Sequence, residues 1–227
     1  MKLHVCVALL GASLLLAATS VALATDDWSE GRNYFVLRPA QPTGLPAGKV
    51  QVTEVFSYGC PACNKFVPVA DKLRQTLPSN AELDYLPAAF NPAEDWPMLQ
   101  RAFCTAQLLG LVQKTHNAMF DAVWKTGALA TMDMTTGRIR SPAPSIEDAA
   151  RVYNQLTGVS IKDFLDKANS FSVDMKMRQD DALIRTYAVD RTPTIIVNGK
   201  YRLTTDSAGG TDKLLDLVKW LVAKESK

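Results

Sequence analysis

Two cysteines separated by two residues, in the segment Cys60-Pro61-Ala62-Cys63, are the sharpest chemical feature of the chain. Pro61 suits the first turn of a helix, because its missing N–H would have no partner there. A helix that begins at Cys60 would direct unpaired N–H groups and a partial positive charge at the Cys60 sulfur. Both favour the thiolate, which is the reactive form, and so stabilise the reduced dithiol. The pair is therefore predicted to form a redox-active disulfide that oxidises other thiols.

Cysteine pairs at this spacing also occur in inert structural disulfides and in zinc sites, and both alternatives stay open at this point. Zinc takes four ligands, so two more cysteine or histidine side chains would have to join the pair. Cys104 and His116 are the candidates, but their separation of twelve residues is unlike the usual ligand spacing. We therefore expect no metal site.

Cys104 and His116 also have ordinary structural interpretations. Cys104 stands among the apolar residues Ala102, Phe103 and Ala106, so we interpret it as a thiol buried in the core. The alternative for Cys104 is a regulatory thiol or one linked to a partner. His116 is interpreted as a surface residue of a helix.

The elements around the cysteine pair are predicted in the order strand, helix, strand. Residues 50–57 are rich in valine and predict a strand, which a Tyr58-Gly59 turn follows. The helix that begins at Cys60 carries apolar residues at helical spacing until Pro78 ends it. Residues 83–86 predict the next strand. This order places the cysteine pair between the first strand and the helix.

The middle of the chain has a different pattern, which is helical from residue 91 to about residue 187. Residues 194–197 then predict a strand, Asn198-Gly199 is a strong signal for a two-residue hairpin turn, and the last helix is predicted over residues 212–223. We therefore predict an α/β fold that an all-helical domain interrupts. Residues 25–90 and 188–227 form its two parts, and residues 91–187 form the inserted helical domain, whose final helix bridges back.

The N-terminus is predicted to be a cleavable secretory signal over residues 1–24. Lys2 precedes an apolar stretch, and Ala22-Leu23-Ala24 matches a small-residue cleavage site. The alternative, an uncleaved N-terminal anchor, would need a longer apolar stretch. An exported protein meets oxidising conditions, which suit disulfide chemistry.

The composition excludes several classes of protein. Hydrophobic residues make up 47% and charged residues 21% of the 227 residues, which is typical of a globular protein and not of a disordered one. The formal net charge is +2, and positive and negative residues are intermixed, so no nucleic-acid partner is expected. No apolar run of membrane-spanning length follows the N-terminal segment.

Two segments carry a resemblance to a known family. Glu54-Val-Phe-Ser-Tyr-Gly-Cys-Pro-Ala-Cys63 resembles the active-site segment of the DsbA thiol:disulfide oxidoreductases of the bacterial periplasm. Thr192-Pro193, followed by Ile195-Ile-Val-Asn-Gly-Lys-Tyr201, resembles the cis-proline loop and hairpin of that family. The resemblance covers essentially all of the chain after the signal. It implies a thioredoxin-like fold with an inserted helical domain and a periplasmic protein.

The resemblance implies roles for individual residues. Cys60 would form a mixed disulfide with the substrate, and Cys63 would resolve it. Pro193 would follow a cis peptide bond and pack against the disulfide, while the backbone of Thr192 would hold an extended substrate segment by strand addition. Glu54 would accept the proton of Cys63. The expected substrate-binding residues are the two between the cysteines and the two of the proline loop: Pro61, Ala62, Thr192 and Pro193.

The sequence departs from the family pattern at two places. Ala62 stands where DsbA proteins commonly have a histidine that stabilises the thiolate, so we expect a less oxidising disulfide than in the strongest members. The family's basic residue near the following strand is not evident, and Asp84 occupies that neighbourhood. If Asp84 lies close to Glu54, it would raise the proton affinity of Glu54.

The predicted function is donation of the Cys60–Cys63 disulfide to reduced, unfolded exported proteins. The resemblance implies reoxidation by a membrane partner of the DsbB type, linked to quinone, and no cofactor besides the redox-active disulfide. The alternatives are a reductase or isomerase with the same chemistry, and a non-catalytic peptide-binding or chaperone module. Dimeric isomerases of this class carry an added N-terminal dimerisation domain, whereas about 25 residues separate the signal from the strand before Cys60, so we expect a monomer.

Overall fold

The computed structural model describes residues 28–133 and 135–226, so the predicted signal at residues 1–24 lies outside the described residues. Within the described ranges, the chain forms one sheet of five strands, which are β1 (Phe35–Val36), β2 (Val50–Phe56), β3 (Ala81–Pro87), β4 (Thr194–Val197) and β5 (Tyr201–Leu203). Their order across the sheet is β1-β5-β4-β2-β3. β2 runs parallel to β3 and antiparallel to β4.

The helices of the described residues fall into three groups along the chain. The first is α1 (Pro61–Thr76), which connects β2 to β3. The second lies between β3 and β4 and comprises α2 (Trp96–Leu108), α3 (Val112–Trp124), α4 (Ile146–Thr157), α5 (Ile161–Ala168) and α6 (Phe171–Thr186). The last group is α7 (Thr205–Ala208) and α8 (Thr211–Glu225), which follow β5. The predicted α/β fold with helices inserted into it is confirmed.

The hairpin between β4 and β5 turns at Asn198-Gly199, as predicted. Both residues have positive φ angles, 53° and 61°, which is the backbone that a two-residue hairpin turn requires. Gly199 is also needed for space, because a Cβ there would clash with the carbonyl oxygen of Gln41.

The main apolar core extends from the sheet into the inserted helices without a break. The ring of Phe56 on β2 lies 5.0 Å from that of Phe103 on α2 and 6.0 Å from that of Phe120 on α3. Val55 points to the other face of the sheet, since side chains alternate along a strand. There it packs in a smaller cluster that includes Ile184 of α6.

In the described part of the chain, none of the helices combines the length and the apolar character needed to cross a membrane.

Candidate active site

The cysteine pair lies where β2 ends and α1 begins. Cys60 is the N-terminal cap of α1, and Pro61 occupies its first turn, as predicted. The backbone N–H of Cys63 donates a hydrogen bond to Cys60 Sγ over 3.4 Å, so the free N–H groups of the helix end do face this sulfur. The first turn of α1, all of it described, carries no acidic residue that would oppose a thiolate.

The two cysteines differ in protonation. Both are free thiols in the structure, with exposed fractions of 5% for Cys60 and 0% for Cys63. The pKa of Cys60 is lowered from 9.0 to about 6, chiefly by the hydrogen bond from the Cys63 side chain, against burial, which raises it. Burial raises the pKa of Cys63 well above 9.0, and the neighbouring Cys60 and Glu54 add to this rise. At neutral pH, Cys60 is therefore the thiolate of the pair and Cys63 the thiol.

The proline loop reaches the cysteine pair from a distant part of the chain. The Thr192–Pro193 peptide bond is cis. Cys60 Sγ lies 3.5 Å from the Thr192 carbonyl oxygen, to which it donates a hydrogen bond as a thiol. This meeting follows from the sheet order, since β4 begins at Thr194 and is the antiparallel neighbour of β2.

A cavity of about 290 Å³ opens beside this contact. Ala62 lines it from α1, and Thr192 and Pro193 line it from the loop. Pro61 is exposed on the first turn of α1 and is not one of the lining residues. Three of the four expected substrate-binding residues thus surround one cavity, and Pro61 lies next to it.

Glu54 is buried on β2, six residues before Cys60, with an exposed fraction of 2%. Its register partners are Tyr85 on β3 and Ile195 on β4. Burial is the largest cause that raises the pKa of its carboxyl from 4.5 to about 8, and the charge of Cys60 adds to the rise. Glu54 is therefore a protonated carboxyl at neutral pH that interacts with both cysteines.

The effect of Asp84 on Glu54 that its sequence position suggested is not found. Asp84 is the register partner of Thr53, and successive residues of a strand point to opposite faces of the sheet. On that opposite face, Asp84 accepts a hydrogen bond from Gln51 over 3.1 Å.

The basic residue that acts on Glu54, Arg74, was not predicted from the sequence. Arg74 on α1 donates a hydrogen bond to the hydroxyl of Tyr85, and its charge opposes the rise in the pKa of Glu54. A signal for Arg74 did exist in the sequence. It follows Cys63 by eleven residues, about three helical turns, so both lie on one face of α1.

Side chains from the inserted helices hold the turn that precedes α1. Trp124 Nε1 donates a hydrogen bond to the Tyr58 carbonyl oxygen over 2.8 Å, and the Tyr58 hydroxyl lies 3.2 Å from Nδ1 of His116. The indole of Trp96 packs so closely on Gly59 that a Cβ there would lie 2.6 Å from Nε1. Helices α2 and α3 therefore position the turn.

The expectation that His116 lies on the surface is wrong. Its exposed fraction is 5%, and its ring stacks on that of Tyr85 with the centroids 3.7 Å apart. Burial is the largest cause that lowers its pKa from 6.5 to about 3, so the imidazole is neutral. A neutral imidazole with a hydrogen-bond partner can be buried at little cost, which residue type alone does not reveal.

Cys104 is a buried core thiol, as predicted. Its exposed fraction is 0%, and its Sγ donates a hydrogen bond to Asp180 over 3.4 Å. Burial raises its pKa, and the charge of Asp180 adds to this. Among the described residues, no group of three or more His, Cys, Asp or Glu side chains is placed to hold a metal ion.

Comparison with known proteins gives one consistent result. A family model described as Thioredoxin matches residues 40–216. The thiol:disulfide interchange protein DsbA of Pseudomonas aeruginosa is 32% identical over 218 residues, which cover 96% of this chain and 95% of that protein. The DsbA of Pseudomonas syringae pv. tomato is 35% identical over 204 residues, with 90% and 87% covered. The crystal structure of Pseudomonas aeruginosa DsbA has a TM-score of 0.73 at 33% identity and covers 88% of this chain and 96% of that one.

The matched regions include the cysteine pair and the proline loop, whose contact across the sheet is the centre of the site. The chemistry of the pair, a low-pKa thiolate beside a buried thiol, agrees with the activity that names these relatives. The chain therefore belongs to the DsbA family and is a thiol:disulfide oxidoreductase with a thioredoxin fold into which helices are inserted.

Proposed function

We propose that the protein oxidises pairs of thiols in reduced, unfolded exported proteins by donating the Cys60–Cys63 disulfide. The observation that carries this direction is the lowered pKa of Cys60, about 6. A stabilised thiolate stabilises the reduced pair, so the disulfide passes readily to other thiols.

The proposed reaction begins when a substrate thiolate attacks Cys60 Sγ. The Cys60–Cys63 bond breaks, a mixed disulfide forms at Cys60, and Cys63 leaves as a thiolate. The Cys63 thiolate takes up a proton because the pKa of Cys63 is raised. Glu54 supplies this proton, since the raised pKa of Glu54 keeps its carboxyl protonated near pH 7. A second substrate thiolate then attacks the substrate sulfur and releases Cys60 as a thiolate. Two electrons pass from the two substrate thiols to the cysteine pair.

Cys63 resolves the mixed disulfide when the second substrate thiol is slow to attack. It gives its proton to the Glu54 carboxylate, attacks Cys60 Sγ and expels the substrate in its reduced form. This is the first step in reverse, so the same residues serve both directions.

The proposed substrate site is the cavity beside the proline loop. Ala62, Thr192 and Pro193 line it within reach of Cys60, and Pro61 borders it. An extended substrate segment would add to the backbone at Thr192, as in strand addition to a sheet edge. Main-chain recognition of this kind accepts many sequences, which suits unfolded proteins of varied composition.

We propose that the protein acts as a monomer in the periplasm, after cleavage of residues 1–24. N-terminal sequencing of the exported protein should then begin at Thr25. Each turnover leaves the cysteine pair reduced, so an acceptor of two electrons must restore the disulfide. A membrane partner of the DsbB type that passes the electrons to quinone meets this requirement.

The direction of the reaction is tested by the redox potential of the pair, measured as the disulfide fraction in graded glutathione buffers. A potential towards the DsbA value of about −120 mV supports an oxidant, whereas one near the thioredoxin value of about −270 mV would make the protein a reductant. The absence of any reversible couple would instead favour a peptide-binding module without redox activity.

The roles of the cysteines are tested with a reduced, unfolded substrate protein. Cys60→Ser should abolish oxidation. Cys63→Ser should be given the same substrate in its disulfide form: the Cys60 thiolate attacks that disulfide, one substrate sulfur leaves as a thiolate, and the mixed disulfide at Cys60 should accumulate because Cys63 is absent to resolve it. Cys104→Ala is the matched control, because the Cys104 thiol is buried and bound to Asp180, and it should leave oxidation unchanged. A mixed disulfide that formed on Cys63 in Cys60→Ser would contradict the assignment of Cys60 as the attacked residue.

A further inference from the structure

Arg74 reaches from α1 towards the face of the sheet on which Glu54 lies. Its Nη2 donates a hydrogen bond to the hydroxyl of Tyr85, and its guanidinium carbon lies 5.6 Å from the centroid of the Tyr85 ring. Tyr85 is the register partner of Glu54 in the parallel pair β2–β3. Paired residues of neighbouring strands share a face, so this contact brings the guanidinium to the side of the sheet that buries Glu54.

The position of Arg74 is fixed by a second set of contacts. Its Nη1 lies 3.2 Å from Asp71 Oδ1, one helical turn earlier. Asp71 in turn accepts hydrogen bonds from Asn117 Nδ2 on α3, over 2.9 and 3.2 Å. Residues of three elements, α1, β3 and α3, therefore hold the guanidinium in one place. An isolated ion pair on the surface is held by two side chains alone and is weak.

The buried carboxyl of Glu54 faces titratable groups from several elements. Those from α1 and the turn before it, from β3 and from α3 are Tyr58, Cys60, Cys63, Asp71, Arg74, Tyr85 and, stacked on Tyr85, His116. Within this described set, His116 is neutral and Arg74 is the single positive charge. Every other charge in the set is negative when ionised and repels the Glu54 carboxylate.

The proposed reaction needs Glu54 in both protonation states. When Cys63 leaves the disulfide as a thiolate, the Glu54 carboxyl gives up its proton and becomes a buried carboxylate. Water returns the proton before the next cycle. Burial and the Cys60 thiolate both oppose the carboxylate, and a buried carboxylate without a counter-charge is costly. The site therefore requires a positive charge near Glu54.

We propose that Arg74 is the positioning residue that supplies this counter-charge, so that Glu54 can exchange a proton with Cys63 at neutral pH. Arg74 lies on α1. The strand that follows α1, β3, carries Asp84, which is acidic and lies on the face of the sheet opposite Glu54. The inference rests on the proton role proposed for Glu54. Asp71, Tyr85 and Asn117 serve to hold the guanidinium and do not touch the reacting sulfur atoms.

The direct test is the titration of the Glu54 carboxyl in the reduced protein by carbon-13 NMR, with the signal assigned by its loss in Glu54→Gln. In Arg74→Gln, the midpoint should rise by about 0.5–1 unit, because an opposite charge has been lost and the partly exposed guanidinium is partly screened. Arg74→Lys retains the charge and should return the midpoint close to that of the wild type. Lys72→Gln is the matched control, since Lys72 is an exposed residue of α1 that binds Asp212, and it should leave the midpoint unchanged.

A second readout follows the chemistry. The rate at which Cys63 resolves a mixed disulfide on Cys60 should have a pH profile that moves upward in Arg74→Gln. In a Glu54→Gln background, the same substitution should move the profile no further. An equal shift in that background would show that Arg74 acts through another group and would overturn the proposal.

The titration of Glu54 tests the role of Arg74 separately from the proposed oxidation of substrate proteins. The titration requires no substrate, so it holds whether the protein is found to be an oxidant or a reductant. An unchanged Glu54 midpoint in Arg74→Gln, in a variant shown by circular dichroism to be folded, would overturn the role of Arg74 even if the protein oxidised its substrates as proposed.

Discussion

Ala62, one of the two residues between the cysteines, has no polar group to offer the Cys60 thiolate. The thiolate is stabilised instead by hydrogen bonds from the side chains of Cys63 and Thr192 and from backbone N–H groups. These contacts come from the fold, so they remain when Ala62 is replaced. The exposed position of Ala62 leaves room for a larger side chain.

Ala62→His is expected to make the disulfide more oxidising. An imidazole at this position would stabilise the thiolate further, and each unit by which the pKa of Cys60 falls corresponds to about 30 mV in the two-electron potential. The measurement is the glutathione equilibrium of the variant beside that of the wild type. Ala62→Gln is the control for size and polarity, and no upward shift in Ala62→His would refute the argument.

His116 should make the fold sensitive to acid. Its pKa is about 3 in the folded protein against 6.5 as an ordinary value, so between these pH values the unfolded chain binds a proton that the folded chain does not. Stability is therefore lost as the pH falls from about 6.5 towards 3. His116→Gln removes the group that is protonated in the unfolded chain. The free energy of unfolding of this variant, measured with urea over a pH series, should therefore fall less steeply between about pH 6.5 and pH 3. Equal slopes for the two proteins would contradict a buried, neutral His116.

At the scale of elements, the site is built where the end of β2, the start of α1 and the entrance of β4 meet. β2 and β4 are neighbours in the sheet, which brings Thr192 to Cys60. Helices α2 and α3 then hold the turn between β2 and α1 through Trp96, Trp124 and His116. The inserted helices are thus part of the support of the active site.

Gly59→Ala tests this support. The new Cβ would lie 2.6 and 2.8 Å from Nε1 and Cδ1 of Trp96, so the turn or the indole must shift, at a cost of about 1–3 kcal/mol in stability. The free energy of unfolding and the potential of the cysteine pair should both change. In the double variant with Trp96→Phe, the two losses of stability should not add, because both substitutions act on the same contact and the smaller ring leaves room for the new Cβ. Full additivity would contradict a close packing of Trp96 on Gly59.

At the scale of the whole molecule, the sheet and the inserted helices share one apolar core. Phe103 of α2 has an exposed fraction of 0% and packs edge-on against Phe56 of β2. We propose that the inserted domain at residues 91–187 and the two flanking parts of the sheet domain unfold as one unit for this reason.

Phe103→Ala should cost about 3–5 kcal/mol and lower the stability of both regions together. Far-ultraviolet circular dichroism reports the helices, tryptophan fluorescence reports the turn before α1 that Trp96 and Trp124 contact, and the two unfolding curves should coincide. Leu156→Ala is the control, since Leu156 has an exposed fraction of 42% on α4, and it should change stability little. Two separated transitions in Phe103→Ala would show that the inserted helices unfold on their own.

Features that depend on neighbouring residues could be predicted from residue types and spacing alone. Cys60 as a helix cap, Pro61 in the first turn, and the hairpin at Asn198-Gly199 arise from backbone geometry within a few residues, so residue type and spacing sufficed to predict them.

The packing of the folded chain sets which distant groups meet and how deeply each is buried. The approach of Thr192 to Cys60 depends on strand order. The contact of Arg74 with Tyr85, the register partner of Glu54, depends on how α1 packs over β3, and the burial of His116 depends on how α3 packs against the sheet. The pKa values of the site follow from that burial and from those charges. They are properties of contacts between parts of the chain far apart in sequence, and local sequence patterns carry no direct record of them.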